Sequence, residues 1–370
     1  MNKAEQYIEY SIKHFKKFKD DWNYEDGCVL TGCAQLYRAT GDRRYQDFVL
    51  NYLDGFIQDN GAIANYEEEK YNIDCINPGK ALYDAYEWTG EEKYLKAIER
   101  LLNQLRHQPR TKCGNFWHKK IYPYQIWLDG LYMAQPFYMA YETRLGKKEN
   151  YNDIITQFNN VRKYLYNENK GLYYHAYDEA REQFWADKVT GTSPNFWLRS
   201  MGWYLMALVD VMSEMDETIF EQYKVLEELL REAVKGILKY QDEESGLFYQ
   251  VIDRPDIKEN YLETSGSIMI GYVILKGCRL GALLKEKYQA IGEAIIASLT
   301  DRMIEEEKGI WRLKGICSVA GLGPADNPRR DGSIEYYLSE PIVCDDHKAM
   351  GAYFMATAEL LMLHGKGYLS

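Results

Sequence analysis

Gly41-Asp42-Arg43-Arg44-Tyr45 and Gly90-Glu91-Glu92-Lys93-Tyr94 open two segments that read alike: a charged amphipathic helix, a polar aromatic loop, then a strongly apolar helix. Looser versions of the opening begin at Gly146, at Phe220 to Tyr223 and at Leu284 to Tyr288. Repetition at about 50 to 70 residues marks stacked helical hairpins. Apolar periodicity and capping signals place outer helices near 3–20, 42–58, 91–107, 147–165, 219–240 and 285–304. The inner helices fall near 27–39, 75–89, 128–145, 195–214, 263–280 and 346–363. Each outer helix has one charged face and one apolar stripe. The inner helices are apolar nearly all round and rich in small residues, as in Gly266-Ser267-Ile268-Met269-Ile270-Gly271-Tyr272-Val273. A helix apolar on every side is buried on every side. An open array would expose one face of its inner helices and stock it with charge. These helices therefore predict an all-α fold, a closed (α/α)6 barrel of six outer–inner hairpins.

Four connecting loops carry a Gly before an aromatic, strand-like stretch: Gly114 to His118, Gly171 to His175, Gly246 to Tyr249 and Gly309 to Trp311. They predict short β-hairpins at one rim. All four lead from an outer into an inner helix, so they share a face with the inner-helix N-termini. Free N–H groups and helix dipoles there favour anions, and the pocket is expected on that face. No Pro-, Gly- or Ser-rich linker interrupts the alternation, which predicts one catalytic domain over 1–370.

The net charge is −11 and the basic residues are dispersed, which argues against nucleic acid as a partner. The polar start, Met1 to Gln6, lacks the apolar core of a secretory signal, and no apolar run is long enough to span a bilayer. The seven cysteines are scattered without a C-x-x-C pair. That pattern suits a reduced, cytoplasmic setting. The expectation is a monomer or weak homo-oligomer, with no membrane partner, no metal and no cofactor.

Polar residues at the start of otherwise apolar inner helices are the informative exceptions. Asp74 begins the second inner helix and Asp129 the third. Asp is a common N-cap, so either position has a plain structural reading. Asp129, however, sits among Trp127, Leu128, Tyr132 and Met133, and an apolar setting suits a carboxyl to general-acid work near neutral pH. His118 and His175 each follow an aromatic residue in equivalent rim loops. Neither belongs to a pair with metal-ligand spacing. Arg199, flanked by Trp197 and Trp203, lies on a helix so apolar that it needs an anionic partner from protein or ligand. A Trp–Arg–Trp wall suits a sugar ring bearing a carboxylate. Core filling by the tryptophans and an Arg–Asp bond within the protein is the alternative. The decorated segment Asn327 to Pro341 is longer than a bare connector and reads as a loop covering the pocket.

Three stretches carry a family resemblance: Trp127-Leu128-Asp129-Gly130-Leu131-Tyr132-Met133-Ala134-Gln135-Pro136; Trp185-Ala186-Asp187 with Thr190 to Tyr204; and Arg330-Asp331-Gly332-Ser333 with Tyr336 to Pro341. Together they resemble the unsaturated rhamnogalacturonyl hydrolases, glycoside hydrolase family 105, whose fold is an (α/α)6 barrel. The resemblance implies a small anionic oligosaccharide as substrate, with a 4,5-unsaturated uronate at its nonreducing end. Asp129 would protonate the vinyl ether at C4 and activate a water that adds at C5. The hemiketal then opens and releases the neighbouring sugar, rhamnose by default. Asp74 would be the second carboxylate, holding ring hydroxyls and tuning Asp129. His175, Trp197, Arg199 and Trp203 match substrate-site positions, with Arg199 facing the uronate carboxylate. Tyr24, His118, Met133 and Arg330 are further binding positions. Arg329 departs from the family pattern, where an aromatic residue is expected. Two readings compete: a sugar 2-epimerase-like barrel using paired histidines, and a non-catalytic helical scaffold.

Overall fold

The computed structural model describes residues 2–365; Met1 and 366–370, at the ends of the expected 1–370 domain, lie outside the described residues. Six inner helices stand in a closed ring: α2 (Tyr24–Thr40), α4 (Lys80–Thr89), α6 (Leu128–Arg144), α8 (Leu198–Glu214), α10 (Thr264–Arg279) and α13 (His347–His364). Neighbours pack in that order, and α13 closes on α2. Around them lie α1 (Lys3–Lys13), α3 (Arg43–Asp54), α5 (Glu92–His107), α7 (Tyr151–Leu165), α9 (Phe220–Ile237) and α11 (Lys285–Met303). This is the (α/α)6 barrel that the repeat predicts.

The repeated motif has a local cause. Gly41 and Gly90 end inner helices in the left-handed conformation, φ +69° and +70°, which costs a glycine little. Asp42 then caps α3 by accepting the Arg44 N–H, and Tyr45 and Tyr94 turn inward as the first buried rings of their outer helices. The small residues of the inner ring allow contact of backbone with backbone. A Cβ on Gly351 of α13 would lie 2.3 Å from the Cys28 carbonyl carbon of α2. No larger residue fits there.

Several expected boundaries shift. The first outer helix ends at Lys13 rather than near 20, because the side chain of Asp26 captures the Phe18 N–H at 3.0 Å and draws the chain into a loop. The second inner helix starts as a 3-10 turn, Ile73–Gly79, and becomes α-helical only after Pro78, which has no N–H to donate. Two of the four predicted rim hairpins form, β2 (Tyr166–Asn167) with β3 (Leu172–Tyr173) and β5 (Ile304–Glu307) with β6 (Ile310–Leu313). The stretches after Gly114 and Gly246 make only single bridges. Two further ladders join separate loops: β1 (Gln125–Trp127) with β4 (Ala176–Asp178), and β7 (Ile316–Cys317) with β8 (Ile342–Val343). A short rim helix, α12 (Ile334–Ser339), lies between β7 and β8 in sequence. All seven cysteines are free, and no helix among the described residues is long and apolar enough to cross a membrane.

Candidate active site

The rim that gathers the inner-helix N-termini holds a cavity of about 420 Å³. Tyr24, Asp74, His118, Asp129, Met133 and Arg330 line it, so the structure brings these six predicted positions together. His175, Trp197, Arg199 and Trp203 stand behind its wall, each almost fully buried.

The β1–β4 ladder fixes Asp129. Trp127 pairs with Ala176, and the Leu128 N–H donates to the His175 carbonyl at 3.1 Å. That register sets Asp129, in the first turn of α6, opposite His175, with Nε2 3.1 Å from Oδ2. The approach is oblique, so neither atom gains a well-aligned hydrogen bond. On its other nitrogen, His175 Nδ1 meets the Tyr337 hydroxyl at 2.8 Å. Burial, then the charges of Tyr336 and Asp129, push the Tyr337 phenol well above its usual range, so it keeps its proton. Met133, one turn along α6, continues the same cavity wall.

Asp74 has a different environment. Its Oδ1 is 2.9 Å from His118 Nε2 and its Oδ2 is 2.7 Å from Lys119 Nζ. Burial alone would raise this carboxyl. The Lys119 charge and then His118 outweigh it and hold Asp74 well below the usual carboxylate range. Asp74 is therefore an ionised acceptor. Gly130 gives His118 room, since a Cβ there would lie 3.1 Å from Nδ1. His118 in turn stacks on Trp127 (5.0 Å, 20°), and Trp127 on Tyr122 (4.7 Å, 26°).

Arg199 is bonded inside the protein, though without the Asp partner considered above. Its guanidinium donates to the Cys317 carbonyl, to Ser265 Oγ at 3.2 Å and to the Ser318 carbonyl at 3.4 Å, and it lies over the Trp197 ring. No carboxylate among the described residues stands within ion-pair distance of it. Trp197 lies 4.8 Å from His175, and Trp203 stacks on Tyr132 at 4.9 Å. Trp203 also meets the edge of Tyr24 at 6.4 Å. Arg329 points away from the cavity wall to Glu340, 3.1 Å distant.

Among the cavity and supporting residues that the sequence reading does not single out are Glu25, Lys119, Tyr122, Trp127 and Tyr337. Trp127 stands two residues before Asp129, and Lys119 directly follows His118, so adjacency was the available signal. Tyr337 had no such signal, because its role depends on a contact across 162 residues. Among the described residues no group of His, Cys, Asp and Glu is arranged to hold a metal ion.

The helical barrel thus gathers an Asp–His pair and a second, ionised carboxylate at one rim. The sequence profile of Glycosyl Hydrolase Family 88 matches residues 1–364. A solved glycoside hydrolase from family 105 of C. acetobutylicum ATCC 824 is 42% identical, superposes with a TM-score of 0.93, and the match covers 97% of this chain and 99% of that one. Protein Atu3128 of Agrobacterium fabrum is 40% identical over 236 residues, 62% of this chain and 99% of its own. The unsaturated rhamnogalacturonyl hydrolase YesR of Bacillus subtilis is 24% identical over 317 residues, 84% of each chain. The chain belongs to glycoside hydrolase family 88/105 and is a glycoside hydrolase.

Proposed function

We propose that this enzyme removes a 4,5-unsaturated uronic acid from the nonreducing end of oligosaccharides left by polysaccharide lyases, with unsaturated galacturonyl-rhamnose as the first substrate to test. The observation that carries this reading is the contrast between the two cavity carboxylates. Asp74 is held ionised by Lys119 and His118, whereas Asp129 has only an oblique histidine partner and is available to exchange a proton. Both histidines turn Nε2 toward a carboxylate, which supports carboxylate chemistry over direct proton transfer by paired histidines.

In the proposed reaction Asp129 gives its proton to C4 of the enol ether, and the cation that forms is shared between C5 and the ring oxygen. Water adds to C5 and returns a proton to Asp129. The C5 hemiketal opens to a ketone, the C1 hemiacetal collapses to an aldehyde, and the neighbouring sugar leaves as its alcohol. No bond forms between enzyme and sugar. Asp74 accepts ring hydroxyls, Trp127 and Tyr24 offer ring faces, and Met133 closes the apolar side. Neither Arg199 nor Arg330 has a carboxylate within ion-pair distance among the described residues, and the two are assigned to the uronate carboxylate. His118 positions Asp74, His175 positions Asp129, and Trp197 and Trp203 hold the wall. A cytoplasmic setting and a monomeric or weakly associated state complete the proposal.

Incubation with a panel of lyase-generated disaccharides tests it. Hydrolysis destroys the conjugated chromophore, so ultraviolet absorbance falls with turnover. Absorbance that stays constant across the panel overturns the reading.

A further inference from the structure

The cavity differs in charge from its inner end to its mouth. Away from the lip that Lys19 and Lys70 form, Arg330 lines the wall beside Trp127 and Gly321 without a salt bridge, and its Nε is buried with no hydrogen-bond partner. At the mouth stand the exposed side chains of Lys19, Glu67 and Lys70, and their charges are already committed. Lys19 Nζ is 2.7 Å from Glu25 Oε1, and Lys70 Nζ is 2.7 Å from Glu67 Oε1. Asp21, exposed on the same lip, adds a further carboxylate. Glu25 is the exception among these mouth groups. It is only 5% exposed, and its Oε2 is buried with no partner. It follows Tyr24 in the first turn of α2, and after burial its charge is the largest influence holding the Tyr24 phenol up.

The reaction fixes which end of the substrate lies where. Asp129 is set against the fully buried His175, whereas Glu25 is tied to the exposed Lys19 on the lip, so the unsaturated ring that Asp129 protonates occupies the inner end and the leaving sugar occupies the mouth. We propose that Glu25 is a specificity-determining residue that restricts the leaving sugar to neutral units and turns away those bearing sulfate or carboxylate. This rests on the unsaturated-uronide reading above. A neutral sugar donates a hydroxyl hydrogen to the Glu25 carboxylate and relieves its lack of a partner. An anionic substituent meets a like charge there. To recruit Lys19 it would have to break a 2.7 Å ion pair and strand a buried carboxylate, a costly exchange.

The test uses a matched pair of substrates: unsaturated uronyl-rhamnose and the same disaccharide sulfated on the rhamnose. kcat and KM are measured on both for the wild type, Glu25→Gln and Lys19→Met. The wild type is expected to favour the neutral member by about tenfold or more in kcat/KM. Glu25→Gln narrows that ratio, chiefly by lowering KM for the sulfated member. Lys19→Met widens it by removing the counter-charge, and it carries the test if the Glu25 variant fails to fold. A wild type that takes both equally, or prefers sulfate, overturns the proposal. So does an equal effect of both variants on both substrates, which would mean that the pair only anchors the 14–23 loop. No turnover of the neutral member would instead overturn the hydrolase reading, a separate failure.

Discussion

His175 Nε2 stands 3.1 Å from Asp129 Oδ2, and the pair is set by backbone rather than by side-chain packing alone. Leu128 and His175 are tied by a main-chain hydrogen bond at the end of the β1–β4 ladder, so the acid and its imidazole cannot drift apart without breaking the sheet. His175 Nδ1 shares a hydrogen bond with the Tyr337 hydroxyl, which burial keeps protonated, and that contact holds Nε2 toward Asp129.

Tyr337→Phe deletes that hydrogen bond and frees the imidazole to turn. The expected loss is roughly tenfold in kcat, about the worth of one hydrogen bond, with KM little changed. A rise in KM alone would show that Tyr337 acts on binding instead.

Asp129→Asn keeps the shape of the acid and removes its proton chemistry. Turnover should fall roughly a hundred- to ten-thousand-fold, while the melting temperature stays near that of the wild type. Steady-state absorbance decay and thermal unfolding together check this. Full activity in the variant would remove Asp129 from the mechanism.

The barrel was legible because its signals are local. A helix-ending glycine, an N-capping Asp42 and a buried Tyr45 or Tyr94 recur within five residues. Asp74 and Asp129 were legible for a similar reason, as polar breaks in apolar helix starts. Arg199 was visible as a residue in need of a partner, but the carbonyls of Cys317 and Ser318 come from 118 and 119 residues away. Glu25 was hidden among the acidic residues that open a helix, where Asp and Glu are ordinary. Its burial depends on the loop that Asp26 draws in, which nothing in the local pattern announces.

Lys119→Met tests the balance at Asp74. In the wild type the folded-state value is depressed, so the stabilisation is present above the unfolded carboxyl value of about 4 and is lost as pH falls through the folded value. Without the Lys119 charge, burial is opposed only by His118 and the carboxyl rises. The acid limb of the kcat/KM profile should then move to higher pH. An unmoved limb would mean that Asp74 does not govern it.

Arg199→Met should cost stability as well as binding. The guanidinium holds the segment that runs from β7 into cavity residues Val319 to Gly321, through Cys317, Ser318 and Ser265. Hydrogen bonds to a charged group contribute about 1.5 to 3 kcal/mol each, and part of that is recovered by removing a buried charge. The expected net loss is about 2 kcal/mol with a raised KM, read by urea unfolding and kinetics on one preparation. Loss of binding at unchanged stability would confine Arg199 to the ligand.

Lys80 offers a test of the barrel interior, away from the rim. Its ammonium is buried with no hydrogen-bond partner, 3.7 Å from the centre of the Tyr132 ring. Burial, partly offset by Asp210, pushes it down to about 8. Between that value and the unfolded value of about 10.4, the unfolded chain binds a proton that the folded chain does not, so stability rises with pH across this window. Below about pH 8 the folded protein carries the whole penalty, about 3 kcal/mol. Lys80→Met removes it and forfeits a cation–π contact of about 1 kcal/mol. The variant should therefore be more stable than the wild type at pH 7 by about 2 kcal/mol, and the difference should disappear by about pH 10. Urea unfolding at the two pH values checks both the sign and the window. A variant less stable at pH 7 would mean that the ammonium is solvated or paired in the folded protein.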